Sequence, residues 1–98
     1  MNIEKTRNGP ELLISVTGKL DLKTSRQFEK SLMESIDGVT HIILDFRDPE
    51  YITSAGLRVI LELYQNVAKD GKVVIRNPNN LVREVFEATG LNDIMEVT

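Results

Sequence analysis

The sequence predicts one α/β domain built on a mixed β-sheet, and three observations lead there. Short apolar or β-branched runs alternate with longer amphipathic ones in the order β-β-α-β-α-β-α, with room for a final strand. The run His41-Ile42-Ile43-Leu44-Asp45-Phe46 is apolar almost throughout, the composition of a central strand covered on both faces in a parallel or mixed sheet. The 98 residues suffice for one core and are too few for two, so a single domain over 1–98 is expected.

Taken in order, Ile3 to Arg7 reads as a first strand, and Asn8-Gly9-Pro10 is a turn that leads into an antiparallel partner. That partner is Leu12-Leu13-Ile14-Ser15-Val16-Thr17-Gly18, alternating and β-branched. Thr24-Ser25-Arg26-Gln27 has the Thr-x-x-Gln form of a capping box, which predicts a helix starting at Thr24. Phe28, Leu32 and Ile36, with Met33 beside them, mark its buried face, and Asp37-Gly38 is its stop.

After the central strand, Arg47-Asp48-Pro49-Glu50 reads as a polar connection through which the proline forbids helix. From Ser54, the spacing of Leu57, Ile60, Leu61, Tyr64, Val67 and Ala68 predicts a long amphipathic helix, widened by Val59 and Leu63 and ended by Asp70-Gly71. Lys72-Val73-Val74-Ile75-Arg76 is a short strand, and Asn77-Pro78-Asn79-Asn80 supplies a turn and a cap. Leu81, Val82, Val85 and Phe86 form a last helix closing near Thr89-Gly90, before a strand or tail from Ile94 to Val97.

Composition narrows the chemistry. There is no cysteine, so disulfides and thiolate metal sites are excluded. The formal net charge is -3, no Lys/Arg cluster exceeds two adjacent residues, and three Phe and two Tyr make no stacking platform, which argues against nucleic acid as a partner. The amino terminus lacks an apolar targeting region, and no run approaches the roughly 20 apolar residues of a membrane span, so a soluble cytoplasmic protein is expected.

The stretch Tyr51-Ile52-Thr53-Ser54-Ala55-Gly56-Leu57 places small and hydroxyl residues between a strand and a helix, so a serine hydroxyl falls at a helix start. Ser54 can be an ordinary N-cap that satisfies a free amide, or Thr53 can take that place and leave Ser54 facing outward. A hydrolase nucleophile is a poorer reading, because the G-x-S-x-G elbow is absent and His41 is the only candidate base. Gly56 would let an anion approach the helix end, yet one glycine without a Gly-rich loop or a following Lys is little to build a nucleotide site on. Asp45, Asp48 and Glu50 match no cation-binding loop, so neither metal nor cofactor is expected.

The run Tyr51 to Leu61 also resembles the signature of the STAS domains, found in sulfate transporters and bacterial anti-sigma factor antagonists, whose pattern is roughly D/S/T-S-S/A/T-G-L. Gly18-Lys19-Leu20-Asp21 is similar to the G-x-L-D segment of the same family, at a similar distance upstream, and the element order matches along essentially the whole chain. One departure stands out: many antagonists carry Asp directly before the serine where this chain has Thr53; a second hydroxyl site that the family has near the serine is filled here by Ala55, which cannot accept a phosphate.

The resemblance implies a small mixed sheet with helices packed mainly on one face, and a non-enzymatic partner switch. Ser54 matches the serine that an anti-sigma factor with serine kinase activity phosphorylates and a PP2C-type phosphatase restores; the unmodified antagonist binds the anti-sigma factor and frees the sigma factor. Asp21, Tyr51, Thr53, Gly56, Leu57 and Arg58 are then the candidates for the contact surface. Two rivals are a scaffold module serving a transporter or signalling complex without phosphorylation, and a nucleotide or anion binder at the Ser54 helix end.

Overall fold

The computed structural model describes residues 1–67, 69 and 71–98. Among them the order is β1 (Asn2–Asn8), β2 (Glu11–Leu20), α1 (Leu22–Met33), β3 (His41–Ile52), α2 (Ser54–Val67), β4 (Lys72–Arg76), α3 (Asn80–Thr89), a 3-10 turn (Leu91–Asp93) and β5 (Glu96–Val97). The strands form one mixed sheet in the order β1-β2-β3-β4-β5, with β1 antiparallel to β2 and every other pair parallel. The Ala68 and Asp70 expected at the end of α2 lie outside the described residues. Among those described, no helix is long and apolar enough to cross a membrane.

The sheet is buried on one face. Leu12, Ile14 and Val16 of β2, Ile42, Leu44 and Phe46 of β3, and Val73 and Ile75 of β4 are all buried and lie in register, with Leu12 beside Ile42 and Ile42 beside Val73. Phe28 and Leu32 of α1, Val59, Ile60 and Leu63 of α2, and Val82 and Phe86 of α3 complete the same core. Leu13, Ile43 and Val74 alternate with these residues and are only partly buried. The central strand is therefore not covered on both faces as its composition suggests. A continuous apolar run records that burial is needed, but not which neighbours supply it.

Three boundaries differ from the sequence expectation. Helix α1 starts at Leu22, not Thr24, because Asp21 is the N-cap: its Oδ1 accepts from the Thr24 N–H at 3.0 Å, and the Thr24 hydroxyl accepts from the Asp21 N–H at 2.8 Å. A capping box is present, three residues earlier than the Thr-x-x-Gln pattern places it. The helix also ends at Met33, ahead of Asp37-Gly38, and Met33 is 44% exposed. Its last turn and the connection after it are held from β1 instead, where Lys5 Nζ donates to Ser31 O at 3.4 Å and to Ser35 Oγ at 2.7 Å, and Arg7 Nη1 donates to Asp37 O at 3.0 Å.

The third difference matters most for the site. Arg47 to Glu50 is no loop; β3 continues through it to Ile52, with Pro49 buried. The pairing with β2 survives through two register shifts, between Ser15 and Thr17 and between Gly18 and Lys19. Such irregularities let a strand carry a residue like proline that has no N–H to give to the ladder.

Helix stripes are displaced by about one position. In α2 the buried line is Gly56, Val59, Ile60, Leu63 and Val67, while Leu57, Leu61 and Tyr64 sit at its edge. In α3, Val82 and Phe86 are buried and Leu81 is 37% exposed. The α3 cap is as expected: the Val82 N–H donates to Asn79 Oδ1 at 2.9 Å, and the helix closes at Gly90.

Candidate functional site

Strands β2 and β3 end side by side, with Lys19 paired to Tyr51 and Leu20 to Ile52. The Thr53 N–H donates to Leu20 O at 2.9 Å, one step past the last pair. Asp21 and Thr53 thus leave the sheet together, at the carboxyl ends of adjacent parallel strands, the end where open α/β sheets place their ligand contacts. Both register shifts are needed to bring this about, because they set which residue of β3 stands opposite Leu20.

The local sequence explains why these ends hold their shape. Gly18 has φ +90, and a Cβ there would meet Met1 Cα at 3.1 Å, so a side chain is opposed by both backbone conformation and space. Leu20 is fully buried and Asp21 caps α1, which gives each defining residue of Gly18-Lys19-Leu20-Asp21 a structural task. The Asp21 carboxyl is held below its ordinary value of 3.8, first by the Thr24 backbone N–H and further by the Thr24 hydroxyl, so it is an anion at neutral pH.

Across the gap, the two hydroxyls differ. Thr53 O accepts the first helical bond of α2 from the Leu57 N–H at 3.1 Å, while Thr53 Oγ1 donates to Leu20 O at 3.4 Å. Ser54 is the first residue of the helix and exposed, and among the described residues its hydroxyl makes no hydrogen bond. Ser54 is therefore not the N-cap; Thr53 occupies the cap position and Ser54 faces outward.

Gly56 lies beneath Ser54, buried where α2 meets the ends of β2 and β3. Tyr51 is half-buried with Lys19 Nζ 5.9 Å from its ring centroid, a cation–π contact at the rim. Arg58 is exposed, and Leu57 is partly buried in a depression of about 300 Å³ with Arg58, Leu61, Thr89 and Leu91.

Three residues beside the site escape sequence reasoning. Leu22 is 67% exposed at the start of α1, and Asp21, Leu22, Lys23 and Arg26 line one open depression. A second groove, between α1 and α2, joins Leu22 and Arg26 to Ala55 and Arg58. The available signal was Leu22 falling off the Phe28–Leu32 stripe, and it was masked by placing the helix start at Thr24.

The remaining candidates are elsewhere. His41 begins the 12-residue strand β3 and Ser54 follows its far end, so they stand at opposite ends of the sheet and form no nucleophile–base pair. Asp45 Oδ1 accepts from the Arg47 N–H at 3.1 Å, and its Oδ2 lies 4.0 Å from Arg76. Among the described residues no group of three or more His, Asp or Glu could hold a metal ion.

A mixed sheet with helices on one face, carrying a free hydroxyl and a capping carboxylate at adjoining strand ends, defines a small α/β domain with an exposed candidate site. The chain belongs to the STAS domain family, whose model matches residues 2–98. BtrV of Bordetella bronchiseptica, provisionally described as an anti-sigma factor antagonist, is 33% identical over 88 residues, covering 88% of this chain and 76% of BtrV. The anti-sigma F factor antagonist of Paenibacillus polymyxa is 28% identical, covering 99% of this chain and 86% of its own. Among solved structures, the anti-sigma factor antagonist SpoIIAA in its unphosphorylated form superposes with a TM-score of 0.85 at 25% identity, covering 99% of this chain and 88% of its own. The phosphorylated form of SpoIIAA, a Bacillus cell fate determinant, gives 0.78 at 24% identity, covering 99% and 91%.

Proposed function

We propose that this chain is an anti-sigma factor antagonist whose binding is switched by phosphorylation of Ser54. The observation that carries the reading is the contrast between neighbouring hydroxyls: Thr53 Oγ1 is committed to Leu20 O, whereas Ser54 is exposed and unbonded. Ser54, and not Thr53, is the acceptor, even though Thr53 stands where many antagonists have an acid.

In this reading the partner is an anti-sigma factor with serine kinase activity. It moves the γ-phosphoryl group of ATP onto Ser54 Oγ, the hydroxyl proton is lost, and ADP leaves. A PP2C-type phosphatase reverses the change with water, releasing inorganic phosphate. Unmodified, the face formed by Asp21, Tyr51, Thr53, Leu57 and Arg58 holds the anti-sigma factor and frees the sigma factor, with Gly56 fixing the height of Ser54 above the sheet.

The physics of the switch is asymmetric. A phosphate at Ser54 brings about -1.5 to -2 charge, which burial in an interface would desolvate and set against the ionised Asp21. In the free protein the same group sits at the start of α2, where the helix dipole favours it by up to about 1 kcal/mol. Modification therefore weakens the complex and leaves the fold intact.

The test is binding of the anti-sigma partner to wild type, Ser54→Ala and Ser54→Asp, with mass spectrometry after incubation with that partner and ATP. Ser54→Ala is expected to keep binding, Ser54→Asp to lose it, and one phosphate to appear on Ser54. Equal binding by the two variants, or a phosphate confined to Thr53, would remove Ser54 as the switch.

A further inference from the structure

Ser54 and Arg58 stand four residues apart on α2, a spacing that stacks side chains on one helix face. Helical Cα–Cβ bonds tilt toward the N-terminus, so a long side chain at Arg58 lies back over the turn that begins with Ser54. Arg26 approaches Arg58 from α1: Arg26, Ala55 and Arg58 line one groove of about 130 Å³ between the two helices. Both arginines are exposed, and among the described residues neither has an ion-pair partner. Two free guanidinium groups thus share a groove with Ala55, the residue after Ser54, on a chain whose formal net charge is -3.

Nearby acids leave these cations available. Glu29 shares the groove and Glu62 follows Arg58 by one turn, yet neither forms an ion pair with them. Asp21 is occupied in capping α1 through Thr24. Lys19 and Lys23 add positive charge at the rim, and Lys19 lies over Tyr51.

Resting on Ser54 as the acceptor, the geometry points to a phosphate clamp, in which Arg58 from the same helix and Arg26 from α1 hold the phosphate of modified Ser54 against the α1–α2 groove. A guanidinium fork offers paired N–H donors that match phosphate oxygens, and each such bond is charge-assisted. The clamp gives phosphorylation a second effect on the recognition face. It adds an anion and also withdraws two cations from the surface that meets the partner.

Phosphoserine placed at position 54 of the full chain by an expanded genetic code makes the modified protein without a kinase. A phosphorus NMR titration then reads the second pKa of the phosphate, near 6 for phosphoserine. His41, the chain's one histidine, is at the far end of β3 and outside this groove. Contact with Arg58 favours the dianion, so the wild-type chain should titrate about half a unit or more below the Arg58→Gln variant. Arg26→Gln should fall between them, and Arg58→Lys should recover part of the shift; thermal melting of the unmodified variants checks that each is folded. Equal second pKa values in wild type and Arg58→Gln at low salt overturn the clamp while leaving the Ser54 switch standing. Failure of a kinase to modify Ser54 would sink the switch and leave this titration unaffected.

Discussion

Replacing Gly56 with alanine adds one methyl at the place where α2 rests on the ends of β2 and β3. A Cβ there would meet Leu20 Cγ at 2.7 Å, Leu20 Cδ2 at 3.0 Å and Ile52 Cγ2 at 3.1 Å. Leu20 is fully buried and Ile52 only 7% exposed, so neither can swing out into water. Overpacking of this kind costs about 1–3 kcal/mol, while alanine gains up to about 1 kcal/mol over glycine as a helix former. The net loss should be up to about 2 kcal/mol, read by urea denaturation.

The decisive measurement is a double-mutant cycle with Leu20→Ala. Alone, that truncation should cost about 2–5 kcal/mol, because it empties a fully buried site. Combined with Gly56→Ala, the new methyl occupies part of the vacated space, so the pair should cost about 1 kcal/mol less than the sum of the singles. Additivity within about 0.5 kcal/mol would refute the claim that Gly56 is required by contact with Leu20. The consequence for function is direct, since lifting the first turn of α2 moves Ser54, and modification of Ser54 should slow in Gly56→Ala.

Two further perturbations follow from the hydrogen bonds around the site. A carboxyl whose folded pKa is lowered stabilises the fold fully above its unfolded value and loses that contribution as pH falls through the folded one. Wild type should therefore melt above Asp21→Asn at neutral pH and converge with it as pH drops below 3.8, whereas a gap that persists unchanged into acid would show that the charge is not its source. Asn79 accepts from the Val82 N–H at 2.9 Å and donates through Nδ2 to Arg47 O at 3.1 Å and Pro49 O at 2.8 Å, tying α3 to the irregular end of β3. Asn79→Ala should cost about 2–3 kcal/mol in urea, and Asn79→Asp, which keeps the cap but loses the donor, should lie between; Asn79→Asp matching wild type would show that the Nδ2 bonds contribute nothing.

Much of the fold was legible because its signals are local. The Asn8-Gly9 turn, the β-branched runs, the Asn79 cap and the Gly90 stop all act over a few residues, and these stand where the sequence predicted. The start of α1 was misread because two capping patterns lie three residues apart. Asp21 wins since β2 runs to Leu20 and leaves no loop between strand and cap. The run Arg47 to Glu50 was misread because polarity and a proline ordinarily mark a loop, and only pairing of Asp48 and Pro49 with Thr17 and Gly18 keeps it a strand.

At the site, the sequence by itself determined that Ser54 falls at a helix start, while the link from Gly18 to Asp21 to that helix start rested on resemblance to the STAS family. Short-range periodicity and small residues suffice for the helix start alone. Tertiary structure decided the rest: two register shifts bring Leu20 level with Ile52, so Asp21 and Thr53 emerge together. The Leu20 carbonyl then takes both the N–H and the hydroxyl of Thr53, leaving Ser54 as the free hydroxyl. That carbonyl lies 33 residues away along the chain, and no pattern within a strand or helix reaches so far.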